Sequence, residues 1–68
     1  MKLYDVAQRQ EMGTMVRIME EATVPPGAKP VAVGDVIRFD HLDGMYSFCT
    51  DNEGYPVHPA AATEVELA

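Results

Sequence analysis

Between residues 31 and 51 the chain reads VAVGDVIRFDHLDGMYSFCTD, with apolar and polar positions alternating on either side of Asp43-Gly44. A period of two marks a half-buried strand. Asp-Gly tolerates the positive φ that a type I′ hairpin turn needs at both central positions, so the pattern predicts one β-hairpin closed at Asp43-Gly44. Counting outward sets Leu42 against Met45, His41 against Tyr46, Asp40 against Ser47, Phe39 against Phe48, Arg38 against Cys49 and Ile37 against Thr50. Ile37, Phe39, His41, Tyr46, Phe48 and Thr50 then share a core face, while Arg38, Asp40, Ser47 and Cys49 share a wet one. On this register His41 stacks on Tyr46, and Arg38 pairs with Asp40 or Asp51.

The remaining elements are shorter. Asp5, VAQRQEM and Gly13 read as a short helix with an acidic N-cap and a glycine stop, although Leu3, Tyr4 and Val6 fit an edge strand equally. Residues 14–20 alternate as a strand, with Val16 and Ile18 on one side and Met15, Arg17 and Met19 on the other. Three prolines and a glycine make 22–30 a stiff loop, after which 31–33 resume extended structure and Gly34-Asp35 forms a turn or bulge. A second turn falls at Asp51-Asn52-Glu53-Gly54. Tyr55 and Val57 share a face of a brief strand that Pro56 confines to an edge or a bulge. A single helical turn at 59–62 precedes a last strand at 63–67, where Val65 and Leu67 alternate with Glu64 and Glu66.

Five short strands, a long first loop, tight central hairpins and one helical turn before the last strand resemble the small SH3-like barrels. The phrase Val33-Gly34-Asp35-Val36-Ile37, followed by the two glycine-containing turns, is similar to the opening of KOW-type barrels. The resemblance implies a mainly β fold: a five-stranded SH3-like barrel over residues 14–67, preceded by a helix or extension over 1–13, with one 3₁₀ turn before the last strand. All 68 residues then form a single domain. KOW-type barrels that bind RNA or ribosomes are usually basic, and the corresponding part of this chain is acidic.

The charge is unevenly spread. Residues 1–30 balance four bases against four acids, whereas residues 31–68 set Arg38 against seven acids and so carry the whole net charge of −6. Such a surface repels phosphate backbones and steers a chain toward a basic partner. A single cysteine excludes an internal disulfide and points to a reducing compartment. No apolar run approaches the roughly 20 residues that span a bilayer, so the expected location is cytoplasmic, without membrane contact. Eight of the apolar residues are alanine, so the core must come from valine, methionine, a few leucines and isoleucines and the five aromatics, and in so short a chain it gains from a partner or a homodimer.

No catalytic or metal-ligating spacing appears. Asp40 and His41 are consecutive in a strand and point to opposite faces, Asp43 is required by the turn, and neither Cys49 nor His58 belongs to a paired-ligand motif. Cys49 and His41 fall on opposite faces of the hairpin, which separates a thiol from its base. The expected protein is therefore not an enzyme and needs no cofactor. It reads as a small acidic protein-binding module, of the kind a phage or mobile element uses to modulate or inhibit a host enzyme that handles nucleic acid. Asp40, Asp43, Asp51 and Glu53 would engage the partner's basic surface, with Arg38, Tyr46 and Tyr55 supplying the residue types that dominate interfaces. Two alternatives are a KOW-like nucleic-acid or ribosome-associated domain, with Arg9, Arg17, Lys29 and Arg38 on one face, and a subunit of a homo-oligomeric assembly.

Overall fold

A computed structural model describes residues 1–9 and 13–68. One helix, α1 (Leu3–Arg9), is followed by five strands: β1 (Met15–Ile18), β2 (Val36–Asp43), β3 (Tyr46–Thr50), β4 (Pro56–Val57) and β5 (Val65–Leu67). All pairings are antiparallel and form one sheet in the order β4-β3-β2-β1-β5. The expectation of a mainly β fold with five antiparallel strands holds; the sheet is not closed, with β4 and β5 at its edges, so the barrel is not confirmed. Pro56, without a backbone N–H, stands on the edge strand where the sequence placed it.

Seven residues are too few for an isolated helix, and α1 is held by its surroundings. Leu3 and Val6 are fully buried and Ala7 packs beside them, three positions on one helical face. The orphan N–H groups of Leu3 and Tyr4 donate to the carbonyls of Thr63 and Ala61, at 3.0 Å each. Asp5 is not the N-cap that the sequence suggested. Its Oδ2 accepts the Lys2 N–H at 2.8 Å, reaching back from the third helical position as in one half of a capping box. The part of the expected helix at residues 10–12 lies outside the described residues.

Val16 and Ile18 of β1 face the core, as their alternation predicts, together with Ile37 and Phe39 of β2, Cys49 of β3, Val57 of β4 and Val65 of β5. Burying each aliphatic side chain contributes about 1.5–3 kcal/mol. Tyr55 and Val57 do not share an environment: Tyr55 is exposed and Val57 is fully buried. Residues 31–33 form no strand. Val31 tucks into the core, and the Asp35 N–H donates to the Ala32 carbonyl at 3.0 Å across a turn. An i, i+3 hydrogen bond from Thr63 to Ala60, 3.0 Å, makes the single turn before β5.

The central hairpin is present, but its register departs from the sequence count. Asp43 pairs with Tyr46, Leu42 with Ser47 and His41 with Phe48; a bulge at Asp40 then shifts the pairing to Phe39 with Cys49 and Arg38 with Thr50. The loop is Gly44-Met45, and positive φ occurs at Gly44 (+62°) and at no described non-glycine residue. That is the pattern of a type II′ turn, with glycine first, so Asp43 remains in the strand. The second arm is turned over as a result. Ser47 and Cys49 point into the core, and Phe48 points out at 38% exposure.

Candidate functional site

The bulge and the shifted turn create an aromatic surface on the outer face of the sheet. Beyond Asp40, His41 emerges on the outer face of the sheet opposite Phe48, and their rings stack with centroids 4.8 Å apart and planes 13° from parallel. His58, just past β4, meets Phe48 edge-on at 4.7 Å and 82°. His58 is itself anchored, because its Nδ1–H donates to the Ser47 carbonyl at 3.1 Å. His41 Nδ1–H donates to Asp40 Oδ2, also at 3.1 Å. Three rings are thus fixed in one row, with Met45, 79% exposed, at the tip of the hairpin. The expected stack of His41 on Tyr46 is replaced by His41 on Phe48.

The inward residues explain how this face is tolerated. Ser47 Oγ–H donates to the Pro59 carbonyl at 2.7 Å, so its burial leaves no orphan hydroxyl. Its oxygen also lies 3.4 Å from Cys49 Sγ. Burial pushes the Cys49 thiol up from its ordinary range, with the Ser47 contact opposing it more weakly. A buried, protonated thiol is a poor nucleophile.

The residues picked from the sequence fall into separate groups. Asp40, Asp43 and Tyr46 surround the aromatic row; Asp43 is exposed, and no ion pair to it occurs among the described residues. Arg38 lies on the outer face beyond the bulge, beside Met15 of β1 and Thr50 of β3. Its expected pairing with Asp40 or Asp51 is absent among the described residues.

Asp51, Glu53 and Tyr55 lie together in the β3–β4 turn. Asp51 Oδ1 accepts the N–H groups of Glu53 and Tyr55 at 2.9 Å each, which shapes the turn. Its other oxygen pairs with Lys29, whose Nζ also lies 3.4 Å from Glu53 and 4.8 Å from the centre of the Tyr55 ring. The Lys29 ammonium, first by its hydrogen bond, holds the Asp51 carboxyl below its usual range, and Asp51 in return raises the Lys29 ammonium. Lys29, Asp51 and Glu53 line a polar cleft of about 390 Å³ together with Asp35 and Val36.

Phe48, His41, His58 and Met45 were not selected from the sequence as partner-binding residues, and Lys29 entered only as a base of the KOW-like alternative. The one signal that could have found the first three is glycine at position 44, which suits the first place of a type II′ turn as well as the second of a type I′. Among the described residues no three His, Cys, Asp or Glu side chains converge as metal ligands. No described helix is long and apolar enough to cross a membrane. Comparison with protein-family models, curated proteins and solved structures finds no match to this chain.

Proposed function

We propose that this chain is a small acidic protein-binding module, acting on a basic protein surface of the kind that also holds nucleic acid. A host enzyme handling nucleic acid, modulated by a phage or mobile-element accessory protein, is the setting that suits such a module. The observation that carries the reading is where the charges are spent. Lys2, Arg17 and Lys29 sit in ion pairs with Glu20 and Glu64, with Glu66, and with Asp51 and Glu53. Asp35, Asp43 and Glu21 have no ion pair among the described residues, and Asp40 has only His41. Bases engaged internally do not release counterions from a phosphate backbone, whereas unneutralised carboxylates steer a basic partner inward. The strand order, the long β1–β2 loop and the turn before β5 support kinship with the SH3-like folds. That kinship leaves function to the surface.

The test is capture from bacterial lysate on the immobilised chain, eluted in steps of rising salt, with a nuclease-treated duplicate, and identified by mass spectrometry. The expected result is a protein released at moderate salt whether or not nuclease was added. Recovery of nucleic acid or ribosomal proteins that disappears with nuclease would overturn the reading in favour of the KOW-like alternative.

A further inference from the structure

We propose that the outer face at the closed end of the β2–β3 hairpin docks an arginine-bearing apolar segment of a partner protein. Phe48 and Met45 take its apolar side chains, and Asp40 and Asp43 take its guanidinium groups. This inference rests on the protein-binding reading and gives it a place and a partner chemistry.

Phe39 is the only one of the five aromatic residues that is buried, yet the fold turns Phe48 outward and spends two inward positions of β3 on Ser47 and Cys49. The outward ring is not loose. His41 covers it in a parallel stack, and His58, tied to the Ser47 carbonyl, meets it edge-on. A surface whose rings are already fixed loses little side-chain freedom on binding. Met45 at the tip adds an unbranched, adaptable apolar group.

Charge selects the occupant. Aromatic faces attract a guanidinium, and carboxylates receive it in a two-pronged hydrogen-bonded pair. Asp40 and Asp43 supply carboxylates at this end, engaged by no lysine or arginine among the described residues. Arg38 stands on the same face beyond the bulge, so a basic segment is repelled from that side and directed to the hairpin tip. Strand addition at the neighbouring edge is disfavoured, because Pro56 on β4 offers no N–H. Recognition is therefore through side chains.

The test uses the whole chain, uniformly labelled with nitrogen-15, titrated with an acetylated and amidated hexapeptide alternating leucine and arginine. Parallel titrations use the same peptide with glutamate for arginine and a thymidine decanucleotide. Saturable amide shifts centred on His41, Phe48 and His58 with the arginine peptide alone are expected, weakened about tenfold in F48A and in D43N. Shifts centred on Asp35, Asp51 and Glu53 would overturn this face while leaving an acidic binding module in place. Equal binding of the glutamate peptide, or the same shifts with the oligonucleotide, would overturn the partner chemistry. Shifts that grow with protein concentration without peptide would assign the face to a second copy of the chain. No binding of either peptide would overturn the arginine segment, and the lysate capture would then decide the broader reading separately.

Discussion

Thr63 carries the clearest local cost in the molecule. It is 4% exposed, and its Oγ1 has no hydrogen-bond partner among the described residues. A buried hydroxyl left unpaired costs about 1–3 kcal/mol. Replacing it with a methyl group of nearly the same shape in T63V should therefore raise stability by about 1 kcal/mol in urea unfolding; a loss would mean that a hydrogen bond to this hydroxyl supports the fold. Cys49 makes the opposite case, a residue well suited to its place. With the residue 3% exposed and its thiol's ionisation disfavoured by burial, Cys49 should resist an aromatic disulfide reagent at neutral pH until the chain is unfolded. Prompt reaction in the native protein would place it on the outer face, as the count from a turn at Asp43-Gly44 had it.

At the scale of elements, Lys29 ties the long β1–β2 loop to the β3–β4 turn. Asp51 ionises below its ordinary value when folded, so its contribution is complete above the unfolded value near 4 and fades as the pH falls through the lowered folded value. Glu64, held down first by the Met1 ammonium and then by Lys2, acts in the same direction. Lys29 is raised, so its contribution is complete below its ordinary value of 10.5 and is lost as the pH climbs through the raised one. Thermal midpoints should hold level between pH 5 and 9 with respect to the Lys29–Asp51 pair and fall at both extremes, and K29M should remove the Asp51 share of the acid fall and the alkaline fall due to Lys29. An unchanged acid limb in K29M would show that Asp51 draws its stability from the turn N–H groups instead.

The elements also show where sequence was readable. Val16 and Ile18 announced β1 because a strict period of two admits one buried face, and Pro56 announced an edge because it lacks a donor. The hairpin register was not readable, since Gly44 serves either tight turn and nothing in RFDHL marks Asp40 as the extra residue. A slip of one residue turns a whole arm over. Tyr46, Phe48 and Thr50 look more like a core face than Ser47 and Cys49 do, and only the Pro59 carbonyl, twelve residues away, makes a buried Ser47 acceptable. A turn at Asp43-Gly44 puts His41 and Phe48 on the core face with Tyr46, whereas the Gly44-Met45 turn and the bulge set both rings outside, near Asp40 and Asp43. Sheet closure was equally beyond reach, because it depends on how β4 and β5 meet rather than on either strand's own pattern.

Over the whole molecule, internal ion pairs absorb most of the bases and leave an acidic exterior around one fixed aromatic face. Exposed ion pairs contribute little individually, so moderate salt should weaken partner binding well before it lowers the unfolding midpoint. Parallel salt sensitivity of both would tie the charges to the fold instead. The outward placement of Phe48 underlies the docking face, and urea unfolding combined with peptide titration of F48A, beside F39A, tests it most directly. F39A should cost about 3–5 kcal/mol, enough to unfold much of a chain this small. F48A should remain within about 1 kcal/mol of the parent protein and bind the leucine–arginine peptide about tenfold more weakly. A loss of stability in F48A as large as that in F39A would return Phe48 to the core and contradict the docking face.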